Sequence, residues 1–469
     1  MTGAEVGWLG GLIGETGTWI LAGTAIVLFL LLGTAMLALV TFATRGTPLR
    51  RIRAMVTGAG GTGSLNERVD GKSPIAAADP EFPQVARVLC NTDLADGHCV
   101  ECFVTGDALF DALLADVAAA RGLITWHVYW FKPGRLAERV AEVLCERARA
   151  GVRVLMLFDH FGSKGVPEPY MRRLRAGGVE VADFRPPRWN TLYKLQNRMH
   201  IRAVVIDATV GYTGGFGIDD RWLGDGRHAG GWRDTSVRIT GASVDQLQGA
   251  FASNWGEATG DLVLGNAVFS HRASTAATAG QRESDTLIAG LMYSSPSLGS
   301  TSAERYFFTS LASARERWYL ATAYFVPDRH LRRMLCDAAQ RGVDVRVLTP
   351  GEHTDRPSTW YAARAHYAEL LDGGVRLYEY CPTMMHAKTL VVDDVWSMVG
   401  TLNFDNRSMV LNDEVALLMW DRAMGARLTA AFHDDLRFAQ ELDIATVRGR
   451  PWWPDRLLEW GAGRIDRLL

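Results

Sequence analysis

The segment His386-Ala-Lys-Thr-Leu-Val-Val-Asp393 repeats the pattern of an earlier segment, His200-Ile-Arg-Ala-Val-Val-Ile-Asp207. In both segments a histidine is followed two residues later by a cation and seven residues later by an aspartate. The run between cation and aspartate is apolar, which is typical of a buried strand, and residues i and i+2 of a strand point to the same face. Each segment is therefore predicted to place a histidine and a cation side by side.

The sequence before the two motifs repeats on a larger scale. Helical spacing of apolar residues alternates with short apolar runs twice along the chain, each time ahead of one histidine motif. This alternation is typical of α/β folds, so the sequence predicts two similar α/β sandwich halves. The predicted elements are helices over 107–120, 135–150, 304–317 and 328–341, and strands over 124–131, 151–158, 318–326 and 342–348.

Residues 18–44 form a long apolar run without a charged residue. About 20 apolar residues in a helix span a bilayer, so the run predicts a transmembrane helix, with a buried hydrophobic helix as the alternative. The tail before it holds Glu5 and Glu15 but no cation, unlike a secretory signal peptide. Four arginines follow within residues 45–53. By the positive-inside rule we expect a single-pass protein of the cell membrane with its catalytic part in the cytoplasm.

These patterns divide the chain into seven segments. Stretches rich in small and polar residues mark the linkers between the more regular parts. The predicted segments are an N-terminal tail over 1–17, the transmembrane helix over 18–44, a juxtamembrane linker over 45–92, a first half over 93–262, an inter-half loop over 263–286, a second half over 287–440 and a C-terminal segment over 441–469.

Composition narrows the function classes. With 50 Lys and Arg against 52 Asp and Glu, the formal net charge is −2. The chain therefore lacks the basic field typical of nucleic-acid-binding proteins, and no nucleic-acid partner is expected. Cys99 and Cys102 are interpreted as structural because no second pair with zinc-ligand spacing lies nearby. No metal and no other cofactor are predicted.

The paired histidines and cations suit the chemistry of a phosphodiester. Such a group is negatively charged, so cations or amide donors must neutralise its oxygens before a nucleophile approaches. Arg202, Lys388 and the amide of Asn403 are candidates for this role. A neutral imidazole is able to attack phosphorus and form a covalent intermediate, while a second histidine protonates the leaving alkoxide. His200 and His386 therefore predict a two-histidine site that works without a metal.

The repeated His-x-Lys-x4-Asp spacing, with Arg202 in place of the first lysine, resembles the phospholipase D superfamily. Flanking sequences resemble its bacterial cardiolipin synthase branch, and they lie at 214–224, 232–241, 323–328 and 403–408. The resemblance covers nearly all of the chain after about residue 93 and implies a duplicated α/β fold. The catalytic residues that it and the motifs suggest are His200, Arg202, Asp207, Asp234, His386, Lys388, Asp393, Asn403 and Glu414.

The resemblance also implies roles for these residues. In relatives the first-half histidine is usually the nucleophile, which implies attack by His200 and protonation of the leaving alcohol by His386. Asp234 and Glu414 occupy positions where the family often carries an acid, and each is expected to orient one imidazole. An acid at a strand end is as often a turn residue as a functional group, so both interpretations of Asp207 and Asp393 stay open.

Three positions depart from the family's pattern. Arg202 replaces lysine, which keeps the charge but changes a point donor into a planar fork. Gly217 stands where many relatives have asparagine, so the first half lacks one amide donor. Thr401 stands at a position that is commonly serine. The first two differences predict a first half that is weakened relative to the second.

The function expected from the resemblance is phosphatidyl transfer between two phosphatidylglycerol molecules, through a phosphohistidine and with release of glycerol. Hydrolysis, with water as the second nucleophile, is an alternative. A second alternative is a non-catalytic lipid-binding or scaffold protein with a degenerate first motif. A nuclease of the same superfamily is disfavoured by the near-neutral charge and the apolar segment. The expected partners are phospholipids and the membrane, and the oligomeric state is left open.

Overall fold

The computed structural model describes residues 23–36, 74–187, 196–265, 268–269, 287–296, 301–450 and 456–464. The chain divides into two compact units, Met1–Pro48 and Leu49–Leu469. In the first unit, residues 23–36 form helix α1. Among the described residues, no helix combines the length and the apolar character needed to cross a membrane. The remainder of the predicted transmembrane segment, 18–22 and 37–44, lies outside the described residues.

In the described part of the second unit, the first helix is α2 (Phe82–Leu89), and the elements of the first half follow it. These elements are β1 (Ala95–Phe103), α3 (Gly106–Ala119), β2 (Leu123–Val128), α4 (Arg135–Arg149), β3 (Arg153–Asp159), α5 (Glu168–Ala176), β4 (Glu180–Phe184), β5 (Ala203–Ile206), β6 (Val210–Gly214), a 3₁₀ turn (Asp220–Trp222), β7 (Trp232–Arg233), β8 (Ser236–Thr240) and α6 (Ser243–Thr259).

The second half follows the same course and adds a short C-terminal extension. Its elements are β9 (Leu287–Ser294), α7 (Ser302–Ser313), β10 (Arg317–Ala321), β11 (Phe325–Val326), α8 (Arg329–Gln340), β12 (Asp344–Pro350), α9 (Pro357–Arg364), α10 (Tyr367–Asp372), β13 (Arg376–Tyr380), β14 (Met384–Met385), β15 (Thr389–Val392), β16 (Trp396–Gly400), β17 (Phe404–Asp405), a π-helical turn (Arg407–Leu411), β18 (Glu414–Trp420), α11 (Arg422–Leu436), β19 (Ala439–Glu441), α12 (Ile444–Arg448) and α13 (Leu457–Arg464).

Fifteen of the nineteen described strands assemble into one long sheet whose two parts have the same strand order, and the other four form the short pairs β11–β17 and β7–β14. The first half contributes the order β4-β3-β2-β5-β6-β8-β1, and the second contributes β13-β12-β10-β15-β16-β18-β9, with β19 added at the edge. Each half contains three neighbouring parallel strands on the side away from the other half, and the remaining strands of the long sheet, including β19, pair antiparallel. Strands β1 and β9 join the halves by antiparallel pairing. The predicted mixed α/β architecture is confirmed.

Local sequence explains why these elements form. In α4 the buried residues Leu136, Val140 and Leu144 recur every four positions, so one face of the helix packs against the sheet. Helix α7 begins earlier than its apolar pattern predicts because Thr301 and Glu304 form a capping box. Strand β2 is buried at all of its six positions, as expected for a strand covered on both faces.

Two predicted strands are shorter than their apolar runs, and both differences matter for the site. The run over 124–131 leaves the sheet after Val128, and the run over 318–326 divides into β10 and the separate β11, which pairs with β17. Side chains in the segments that leave the sheet, including Tyr129 and Tyr324, line a cavity instead. An aromatic and apolar run does not by itself distinguish a strand from a cavity wall.

Candidate active site

Short backbone pairings between the halves position both histidines. Met385 pairs with Arg233 where β14 lies parallel to β7, and the next amide, that of His386, donates to the Arg233 carbonyl at 2.7 Å. In the same way Met199 bridges to Asp413, and the amide of His200 donates to the Asp413 carbonyl at 3.0 Å. The backbone of each histidine therefore lies next to a residue that immediately precedes an acid of the other half: Arg233 precedes Asp234, and Asp413 precedes Glu414.

The imidazole of His200 is held between an acid and a cation. Its Nδ1 lies 2.8 Å and 2.9 Å from the two carboxylate oxygens of Glu414, and its Nε2 lies 3.1 Å from Nη1 of Arg202. A guanidinium nitrogen only donates, so Nε2 is the acceptor and the ring proton is on Nδ1, which donates to Glu414. The ring of Tyr129 contacts the imidazole edge-on, with ring centroids 4.5 Å apart. This tautomer leaves a lone pair on Nε2.

His386 has the corresponding arrangement in the second half. Its Nδ1 lies 2.7 Å from Oδ2 of Asp234, and Nζ of Lys388 lies 3.1 Å from both ring nitrogens. Lys388 also donates to the His386 carbonyl at 2.5 Å. The rings of Trp222 and Trp232 pack against the imidazole at centroid distances of 5.4 Å and 4.9 Å. The side chain of His386 is 2% exposed.

The two orienting acids are exchanged between the halves. Asp234 of the first half contacts His386 of the second, and Glu414 of the second half contacts His200 of the first. The sequence left the pairing open, because an acid that follows a motif in the chain is equally compatible with orienting either imidazole. A carboxylate on Nδ1 fixes the tautomer and the direction of the ring.

Both imidazoles line one cavity of about 590 Å³. Arg202 and Asn403 also reach its wall, and aromatic side chains surround it, namely Tyr129, Trp130, Phe131, Phe161, Trp232 and Tyr324. Nε of Arg202 and Oδ1 of Asn403 are buried without a hydrogen-bond partner among the described residues. A ligand with phosphoryl oxygens would satisfy that Arg202 donor.

Burial sets the protonation states of the site. Burial, with the positive charges of Arg202 and Lys388, holds the pKa of His200 well below its ordinary value, so the free imidazole is neutral. Burial lowers the pKa of Lys388 to about 7 and raises the pKa of Glu414 to about 7. Burial alone would raise the pKa of Asp234, but the neighbouring His386, Lys388 and Trp222 bring it below the ordinary value.

Asp207 and Asp393 are not among the residues that line the cavity, and both hold turns, which is one of the two interpretations that the sequence left open. Asp207 accepts hydrogen bonds from the amides of residues 121–123 at 2.7–3.0 Å. Asp393 does the same for residues 315–317 at 2.8–2.9 Å. Both residues have φ near +50°, a left-handed conformation that aspartate tolerates at turns. They fix the turns after β5 and β15.

The structure also explains why position 217 is occupied by glycine and not by asparagine. A Cβ atom at this position would lie 3.0 Å from the Trp130 Cβ and 3.0 Å from ring atoms of Trp222. The indole Nε1 of Trp222 donates to Asp234 at 2.8 Å. In the second half, Thr401 and Asn412 donate to the corresponding acid, Glu414. Trp222 was missed in the sequence because an indole has no place in the motif.

Comparison with known proteins shows the family of the chain. The model for the family "Cardiolipin synthase, PLD-like domain" matches residues 307–436. Cardiolipin synthase A of Pseudomonas putida is 33% identical to this chain over 84% of the chain and 78% of its own length. The chain belongs to the cardiolipin synthase family. Cardiolipin synthase 2 of Bacillus anthracis is 34% identical to this family member over 72% of the chain.

The chain spans 65% of the Bacillus anthracis relative's length and 64% of that of the cardiolipin synthase 2 of Bacillus cereus. Among solved structures, a phosphatidylserine synthase of Haemophilus influenzae matches with a TM-score of 0.62. The match covers 82% of this chain and 99% of that one at 13% identity. It therefore shows that this cardiolipin synthase family member shares that fold.

Proposed function

We propose that the protein is a phosphatidyltransferase that makes cardiolipin from two phosphatidylglycerol molecules and releases glycerol. The proposal rests on one observation. The imidazoles of His200 and His386 line the same cavity, and each is held by its own carboxylate and cation. The names of the relatives support the choice of product. The aromatic side chains of the wall support a lipid substrate, since they offer apolar surface around a polar centre.

In the proposed first step, Nε2 of His200 attacks the phosphorus of one phosphatidylglycerol. The Nδ1–H tautomer leaves the lone pair on Nε2, which supports His200 as the nucleophile. A phosphorus–nitrogen bond forms and the bond from phosphorus to the glycerol oxygen breaks. His386 gives its proton to that oxygen, so glycerol leaves neutral and a phosphohistidine remains.

His386 must be protonated for this step. Burial and Lys388 lower its pKa in the free protein, while Asp234 opposes them. An anionic phosphodiester bound beside the ring favours the imidazolium, and the ionised carboxylate of Asp234 stabilises it. The proposed acid therefore becomes charged when the substrate binds.

In the second step, the neutral His386 removes the proton from a free hydroxyl of a second phosphatidylglycerol. That oxygen attacks the phosphorus, the bond to His200 breaks, and cardiolipin forms. Arg202, Lys388 and the amide of Asn403 would hold the non-bridging oxygens in both steps, where charge builds up in the transition state. Both histidines then return to their starting states.

Attachment to the membrane through residues 18–44, with the second unit in the cytoplasm, is part of the proposal. The large apolar side chains described in α1 are more than half exposed, for example Phe29 at 77%. Such side chains are stabilised by burial in lipid. Protease protection of the N-terminal tail in sealed vesicles would test the orientation.

The direct test is product analysis with the full chain in detergent and phosphatidylglycerol as the sole lipid. Cardiolipin and glycerol in equal amounts are expected from the wild type. His200→Ala should form no acid-labile phosphoenzyme, and His386→Ala should form it slowly. Phosphatidic acid as the main product would indicate a hydrolase, and no turnover would indicate a scaffold protein. Undiminished activity in both variants would refute the mechanism.

A further inference from the structure

The cavity carries more positive charge than one phosphodiester needs. A phosphodiester has a single negative charge, and Arg202 and Lys388 already stand beside the two imidazoles. Further cations nevertheless line the same cavity, namely Lys132, Lys164, Arg198, Arg356 and Arg407, and they outnumber its two lining carboxyl groups, Asp355 and Asp405. Grouped like charges cost free energy unless an anion lies among them.

Among these cations, Arg198 and Arg407 form the pair whose surroundings best suit an anion. Arg198 is 3% exposed, and its Nη1 is buried without a hydrogen-bond partner among the described residues. Arg407 approaches from the other half, and its guanidinium donates to the backbone oxygen of Gln196 at 3.1 Å. Burial lowers the pKa of Arg198, the nearby carboxylate of Asp159 opposes that shift, and the positive charges of Arg185 and Arg407 add to it. Both Arg198 and Arg407 line the cavity, and the contact with Gln196 places the Arg407 guanidinium beside the segment that carries Arg198.

The carboxyl groups close to this pair are already engaged. Asp159 lies 3.8 Å from Arg198, but it accepts hydrogen bonds from the amides of Gly162 and Met199 at 2.9 Å and 3.0 Å. Asp405 accepts from the amide of Ser408 at 2.6 Å, and burial raises its pKa to about 7. Neither carboxyl accepts a hydrogen bond from Nη1 of Arg198, so this N–H group stays available to a ligand.

We propose that Arg198 and Arg407 bind the phosphate of the second, acceptor phospholipid. This inference rests on the proposed function, because only a phospholipid acceptor brings a second phosphate into the cavity. In the product, one glycerol joins two phosphates, so both anions must be held in the same cavity at the moment of transfer. Arginine suits this task, since its planar fork matches two phosphate oxygens. The ring of Phe161 packs on the Arg198 guanidinium at 4.8 Å and limits its orientations.

The subsite gives a physical reason for preferring a lipid acceptor over water. Water and glycerol carry no phosphate and gain nothing from the arginine pair, whereas phosphatidylglycerol gains two charge-assisted contacts. The pair would raise the local population of the correct acceptor after the phosphohistidine has formed. It is a binding site for a phosphodiester anion and takes no part in bond breaking.

The test compares two acceptors on the same enzyme. Full-length protein is supplied with phosphatidylglycerol and deuterated glycerol, and mass spectrometry follows both cardiolipin and deuterated phosphatidylglycerol. The exchange reaction uses the two histidines but an acceptor without phosphate. For Arg407→Gln we expect cardiolipin formation to fall about tenfold or more, the loss expected for one charged hydrogen bond. Exchange should fall much less, and Arg407→Lys should recover part of the cardiolipin rate.

Lys132→Gln is the matched control, since it removes one positive charge from an exposed lysine of the same cavity, packed near Trp130. Its ratio of cardiolipin to exchange should stay close to that of the wild type. The subsite is overturned if Arg407→Gln lowers both rates equally or neither, or if Lys132→Gln changes the ratio as strongly. A wild type that catalyses neither reaction overturns the proposed function instead. Arg198→Gln is a second variant, and Arg407, being only partly buried, is the safer one for folding.

Discussion

The first half lacks the asparagine that the second half has at position 403, and one double exchange would test how it compensates. In this exchange Gly217 and Trp222 become Asn and Ser, which are the residues at the equivalent positions 403 and 408 of the second half. In the second half Nδ2 of Asn403 lies 3.5 Å from Oγ of Ser408. In the first half a large residue faces a glycine, and a Cβ at 217 would lie 3.0 Å from the indole. The two positions therefore share one volume, which each half fills differently.

The single substitutions should both destabilise the protein. Gly217→Asn forces a side chain against two tryptophans in a packed interior, which costs about 1–3 kcal/mol of unfolding free energy. Trp222→Ser removes a side chain that is 1% exposed, and comparable truncations cost about 3–5 kcal/mol. In the double variant the asparagine occupies part of the space left by the indole. Its loss should be smaller than the sum of the single losses by about 1 kcal/mol or more.

Urea unfolding of the full chain in detergent, followed by fluorescence, measures the three free energies. The kcat of each folded variant is measured in parallel, because Trp222→Ser also removes the donor to Asp234 and so loosens His386. Trp222→Phe is the control that keeps most of the ring but loses the N–H group. Losses that add to within about 0.5 kcal/mol would refute the shared volume. Unchanged activity in Trp222→Phe would refute the role of the indole N–H in orienting the acid.

Three further predictions follow from the site. Arg202→Gln should lower kcat by about a hundredfold or more, because one donor to the transition state is lost. Arg202→Lys should retain much of the activity, and equal losses of kcat in the two variants, measured in steady-state assays, would contradict this. Lys388 has a pKa of about 7 and is proposed to bind phosphate as a cation. The kcat/KM should therefore fall as pH rises through about 7, and Lys388→Arg should remove that part of the decline while leaving the part due to deprotonation of His386; an unchanged profile would contradict the assignment. Asp393→Asn weakens the acceptor of three backbone amides, so unfolding free energy should fall by about 1–3 kcal/mol while kcat of the folded protein holds; a large loss of kcat at unchanged stability would restore a catalytic role.

The sequence predicted which residues form the site better than it predicted which side chains contact one another there. On a strand, His386 and Lys388 share a face by local geometry alone, and Nζ of Lys388 indeed lies 3.1 Å from the ring. The same geometry explains why Asp393 lies away from the cavity. Seven residues of extended chain cover about 23 Å, so the acid that ends the motif lies near the opposite end of the strand. Motif spacing indicates similarity between sequences, and it does not measure distance to the reacting atoms.

By itself, the sequence determined the mixed α/β fold, its internal repetition and the two histidines with their cations, because these follow from periodicities of a few residues. Only the tertiary structure decided which acid orients which imidazole, since Glu414 is 214 residues from His200 and Asp234 is 152 residues from His386. It also decided that Trp222 fills the space beside Gly217. Such contacts depend on how the two halves pair across β1 and β9 and through the short bridges before each histidine. The sequence of one half does not show which side chains of the other half will contact it.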